Sequence, residues 1–70
     1  MIKVGQIYQA PHTKSKRVVT YTEEDLGLLY SINKDGVSYA CRYNSWNDYK
    51  LIAEYPTWQE AVNSKEFKND

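Results

Sequence analysis

"NKDGVSYACRYN", residues 33–44, decides how this chain folds. Gly36 follows Asp35, and a glycine there supplies the positive φ that a tight hairpin turn requires. The residues after the turn alternate. Val37, Tyr39, Cys41 and Tyr43 face one way, and Ser38, Ala40, Arg42 and Asn44 face the other. Alternation of period two marks a half-buried antiparallel strand. Before the turn, "LLYSIN" places Leu28, Tyr30 and Ile32 on one face. The two runs are expected to pair, with residues 35–36 as the joint.

Outward from this hairpin the period stays at two. "RVVTYTEE" is rich in β-branched and aromatic residues and reads as a strand, with Val19 and Tyr21 on one face. "EEDLG" turns the chain. Upstream, "KVGQIYQA" is a short strand expected at a sheet edge, and Pro11 opens the polar, basic loop "PHTKSK". Downstream, "NSWND" is a turn. "YKLIAEY" is a strand with Tyr49, Leu51, Ala53 and Tyr55 on one face. The period then changes. In "PTWQEAVNSKEFKND", Thr57 and Glu60 have the spacing of a capping box. Trp58, Ala61, Val62 and Lys65 follow at helical spacing, with Phe67 nearby. One helix is predicted over 58–68. Asn63 and Ser64 are weak helix formers that could shorten it after Val62.

The expected fold is mainly β with α+β character. It is a small SH3-like barrel or bent antiparallel meander of four to five strands over 3–55, with one C-terminal helix. An open three- or four-stranded sheet with the helix packed across one face is the alternative. A chain of 70 residues is one small domain. Such a domain buries only about 60% of its unfolded surface. Seven tyrosines, two tryptophans and one phenylalanine supply large rings for its core.

Nine basic and nine acidic residues cancel, which argues against a generic polyanion binder. The charges are unevenly placed. Residues 1–20 carry Lys3, Lys14, Lys16 and Arg17 and no acid, whereas Glu23, Glu24, Asp25 and Asp35 oppose only Lys34 over 21–36. Cys41 is alone, so no internal disulfide forms. No run approaches the roughly 20 apolar residues of a membrane span, and the N-terminus lacks a signal-peptide core. The expected location is the cytoplasm of a producing or host cell, with the chain a monomer or small homo-oligomer.

Enzyme signatures are missing. The glycines at 5, 27 and 36 stand far apart at turns and form no phosphate loop. One histidine and one cysteine do not make a zinc site. Cys41 lies on the apolar face of its strand, where a thiol is inert, and His12 lies in a polar loop. No catalytic residue, metal or cofactor is predicted.

Binding residues are sought in two places. Trp46 sits mid-turn, either as a lid folded over the core or as an exposed ring beside Arg42, a usual pairing in recognition surfaces. Lys14, Lys16 and Arg17 form either a solubilising loop or an anion-binding arm.

The stretches "YPTWQEAVNSKEF" and "KVGQIYQ" resemble small uncharacterised proteins of Gram-positive bacteria and their phages. Many of these end a short barrel-like β-domain in a W-x-E-A-x-x-S-x-E-F helix. Here the matching residues are Trp58, Glu60, Ala61, Ser64, Glu66 and Phe67. They pack a helix and carry no catalytic inference. The resemblance implies a prophage or mobile-element accessory protein that modulates a host protein. From the residues themselves, a non-enzymatic protein-interaction module is expected. The competing class is a weak nucleic-acid binder using the basic loop 12–17 and exposed aromatics. Capture of a small ligand in an aromatic pocket is a third reading.

Overall fold

The structure, a computed structural model, describes residues 2–69. Five strands form one antiparallel sheet: β1 (Gln6–Gln9), β2 (Lys16–Glu23), β3 (Leu28–Ile32), β4 (Ser38–Arg42) and β5 (Lys50–Glu54). Two short helices follow, α1 (Trp58–Val62) and α2 (Lys65–Lys68). The spatial order is β4-β3-β2-β1-β5. The sheet is open, with β4 and β5 as its edges, so it does not close into a barrel.

The local signals act as their chemistry requires. Asn33 Oδ1 accepts from the backbone N–H of Asp35 and of Val37, each at 2.9 Å, and Gly36 takes φ +83°. This joins β3 to β4 with Tyr30 opposite Ala40. The Thr57 hydroxyl accepts from Glu60 N–H at 3.2 Å and caps α1. The predicted single helix forms in two pieces. It stops at Asn63, and Ser64 begins again by accepting from Phe67 N–H at 3.3 Å.

Three expectations are corrected. β1 is central rather than at an edge, because β5 returns past β4 and pairs with it, Ile7 opposite Ala53. Val19 and Tyr21 do not share a face. Thr20 is an extra residue in the β2–β3 ladder, which pairs Val19 with Ser31 and then Tyr21 with Tyr30. Likewise the β1–β5 register steps from Ile7–Ala53 to Tyr8–Leu51, so Ile52 is the extra residue. Ile52, Ala53 and Tyr55 pack on one core while Tyr49 packs on the other. One inserted residue reverses every side chain beyond it.

The sheet therefore has two cores, one on each face. Ile7 and Val18 pack beneath Ala61 and Phe67 of the helices, with Ile32, Trp58 and Val62 around them. On the opposite face Tyr8, Val19, Leu29 and Trp46 pack together, bordered by Ile2, Cys41, Tyr43 and Tyr49. Fully burying a valine, leucine, isoleucine or phenylalanine side chain in such a core stabilises by about 1.5–3 kcal/mol. Beside Tyr8, the buried Gln6 side chain ties loop to sheet. Its Oε1 accepts from Lys3 N–H at 2.7 Å and from the Tyr8 hydroxyl at 3.0 Å. Among the described residues no helix is long and apolar enough to cross a membrane.

α2 is latched at both ends. Lys16 Nζ donates to the carbonyls of Glu66 (2.6 Å) and Asn69, and the Tyr55 hydroxyl donates to the Glu66 carboxylate. The hydroxyl holds the Glu66 carboxyl below its usual range, and the carboxylate holds the Tyr55 phenol above its own. A depressed carboxyl pKa gives stability that is full above the usual range of about 4 and is lost as pH falls through the folded value. A raised phenol pKa gives stability that is full below about 10 and is lost as pH rises through the folded value. The protection of the Phe67 amide against hydrogen exchange, relative to its intrinsic rate at each pH, is therefore expected to be greatest between these limits. Glu66→Gln is expected to abolish the acid limb; an unchanged acid limb counts against the latch.

Gly5 gives the second prediction. It has φ +95°, and a Cβ there would stand 2.2 Å from the Tyr55 carbonyl oxygen. Gly36 also has positive φ, but a Cβ there meets nothing within 4 Å. Gly36→Ala is expected to cost about 1–2 kcal/mol of backbone strain. Gly5→Ala adds a backbone clash and is expected to cost more than about 2 kcal/mol, measured by urea unfolding. Equal costs would show that the close approach is unimportant.

Candidate functional site

Helices cover only one half of their sheet face. Rows of paired residues cross β2, β3 and β4 on that face. Val18, Ile32 and Ser38 form the row nearest the helices. Tyr21, Tyr30 and Ala40 form the next, and Glu23, Leu28 and Arg42 the one beyond. No helix lies over the last two. Tyr21 is 51% exposed and Tyr30 43%. Their rings meet edge to face, with centroids 5.9 Å apart. This geometry suits the ring quadrupoles, so the pair is a preformed platform. Leu26, 68% exposed, lies in the 3-10 turn (Glu24–Leu26) that links β2 to β3.

The rim of the platform is acidic. The Tyr21 hydroxyl donates to both Glu23 carboxylate oxygens, at 3.0 and 3.2 Å. That hydrogen bond raises the Tyr21 phenol above its usual pKa. Glu24 and Asp25 follow directly in the turn and are exposed. Arg42 is the cation of the last row, opposite Leu28.

The structure places the residues expected from sequence as follows. Trp46 is the lid, only 4% exposed. A second 3-10 turn (Tyr43–Trp46) carries it under the sheet. There it meets Tyr8 edge-on at 5.2 Å and stacks on Tyr49 at 4.7 Å. It is therefore no surface anchor. Arg42 lies on the opposite face, so the two are not brought together. The cause is strand alternation. Arg42 ends β4 on the helix side, and the turn after it curls toward the other side.

The basic loop is divided in the same way. Lys16 is occupied by α2. Arg17, the next residue, points to the other face, where its guanidinium lies 4.3 Å from the Tyr39 ring centroid. Lys14 stands exposed at the loop tip with φ +63°. The three cations therefore do not form a single arm. Cys41 is half-buried at the border of the Trp46 core. Among the described residues no group of three or more His, Cys, Asp or Glu side chains could hold a metal ion.

The Tyr21–Tyr30 pair is not legible in the sequence, where simple alternation sets Tyr21 on the face of the buried Val19. Val19 and Tyr21 were separated by a bulge, which has no local signature here. The available signal was the run of acids beginning at Glu23, beside a tyrosine that precedes it by two residues.

Trp46→Ala is expected to cost about 3–5 kcal/mol of stability, the usual range for removing a buried large ring. Arg42→Ala, at an exposed position, is expected to stay within about 0.5 kcal/mol. Thermal melts of the two variants side by side check this. A Trp46→Ala protein as stable as the parent would return the ring to the surface.

In comparisons with known proteins, no family model, no curated protein and no solved structure matches this chain.

Proposed function

We propose that this protein is a small non-enzymatic interaction module that binds another protein through the open half of its sheet. The observation that carries this reading is the Tyr21–Tyr30 pair, exposed on a face that the helices leave bare. Tyrosine is enriched at protein interfaces because a rigid ring offers contact area at low entropic cost. Ala40 and Leu28 extend the patch. The acidic rim of Glu23, Glu24 and Asp25 favours a partner that presents apolar side chains flanked by lysine or arginine. In the setting implied by the resemblance to phage and mobile-element proteins, that partner is a host protein.

The same rim disfavours nucleic acid. Phosphates would approach three carboxylates, while Lys16 is held by α2. A nucleic acid bound by Lys14 and Arg17 alone would neutralise about two phosphates, with a salt slope near −2 on duplex DNA.

The test compares the parent with a Tyr21→Ala/Tyr30→Ala double variant. Both positions are exposed, so the variant is expected to keep the parent's circular dichroism and melting behaviour. Tagged protein is used for capture from host lysate after nuclease treatment. A partner retained by the parent and lost by the double variant supports the reading. Binding of the purified partner should fall by about 2 kcal/mol or more, as for interface anchors. Equal capture by both proteins, or capture abolished by nuclease, overturns it.

A further inference from the structure

On the Trp46 side of the sheet, the loop after β1 and the residues around the second 3-10 turn bound a cleft of about 300 Å3. Its walls include His12, Thr13, Arg17, Ser45, Asp48 and Tyr49. The volume is at the small end of ligand pockets. We propose that this cleft binds a small zwitterion, with its carboxylate on Arg17 and its ammonium on Asp48.

Arg17 is held for such a role. Its guanidinium packs over the Tyr39 ring at 4.3 Å. A stacked guanidinium keeps its planar donor fork oriented at little entropic cost. Its Nε is sealed from solvent, so the Nη groups are the donors of the fork left to meet a ligand in the cleft. A carboxylate is the acceptor whose geometry matches the fork, in two parallel bonds.

Asp48 supplies the second half. It lines the same cleft as Arg17, yet no ion pair joins the two. Opposite charges facing one cleft are complementary to a molecule that carries both. A simple anion would satisfy Arg17 but meet repulsion from Asp48. A simple cation would meet the reverse. The walls suit a short carbon skeleton. Ala10 and Pro11 are apolar, and Tyr49 is braced by its stack on Trp46. The cleft lies on the other face from the Tyr21–Tyr30 platform, so it is independent of the protein-binding reading.

The test is an NMR titration of the full chain that follows the backbone amides and the Arg17 Nε–H signal. The probes are acetate, ethylammonium, glycine and γ-aminobutyrate, each up to about 10 mM, since millimolar affinity is the scale for such small molecules. At least one zwitterion is expected to bind about tenfold more tightly than either single-charge probe. It should move Arg17 Nε–H together with the amides of Thr13, Ser45 and Tyr49. Asp48→Asn is expected to weaken the zwitterion about tenfold and to leave acetate as tight or tighter. Arg17→Lys keeps the charge, loses the fork, and should weaken all three carboxylate probes, acetate, glycine and γ-aminobutyrate. Asp48 is exposed, so its variant keeps the test decisive if Arg17→Lys fails to fold. The Tyr21→Ala/Tyr30→Ala variant should bind the zwitterion like the parent. Three results would overturn the proposal: zwitterions no tighter than acetate, shifts centred on Lys14 and Lys16, or no probe binding at all.

Discussion

At Gly5 two backbones meet more closely than any side chain allows. The Gly5 carbonyl accepts from Tyr55 N–H at 3.0 Å, and its own N–H donates to the Val19 carbonyl at 2.9 Å. One residue thus joins the start of β1, the middle of β2 and the chain leaving β5. The junction fixes β5 against β1, and two residues past Tyr55 the Thr57 cap begins the helices. Where the helices can lie follows from this. They rest over Ile7 and Val18 at one end of the sheet, and the rows through Tyr30 and Leu28 stay open. Positive φ and a missing Cβ at one position therefore decide which surface is core and which faces solvent.

The hairpin at 35–36 and the Thr57 cap were legible because their determinants lie within a few residues of each other. Asn33, Asp35 and Gly36 complete their turn without help from the rest of the chain. The β content and the single change of period were legible for the same reason. The face of each strand was not. Thr20 and Ile52 are ordinary strand formers, and nothing in their neighbourhood announces an extra residue. A bulge is chosen by the fit of the whole sheet, and it inverts the assignments beyond it. The central place of β1 was hidden too, since it rests on a partner strand far along the chain.

Candidate binding residues were harder still, because strand geometry separates sequence neighbours. Lys16 and Arg17 are adjacent, yet one serves α2 and the other backs onto Tyr39. Arg42 and Trp46 are four apart, yet the sheet lies between them. Conversely, Tyr21 and Tyr30 are brought side by side by pairing alone. A cluster of types in sequence is thus weak evidence for a cluster in space when the local period is two.

The central position of β1 also shapes how the chain reaches this structure. The pairings of β2 with β3 and of β3 with β4 close over short turns. By contrast, the Gln6–Glu54 hydrogen bond spans 48 positions and the Lys16–Asn69 bond spans 53. Closing such long loops costs more chain entropy and slows folding. The local hairpins are therefore the early part of the process, and docking of β5 is the late part. Until then one side of β1 is a bare strand edge, with Ile7 uncovered by the helices. Unpaired edges of this kind template association between chains. A chain cut before β5 is thus expected to give a self-associating sheet rather than a smaller working domain.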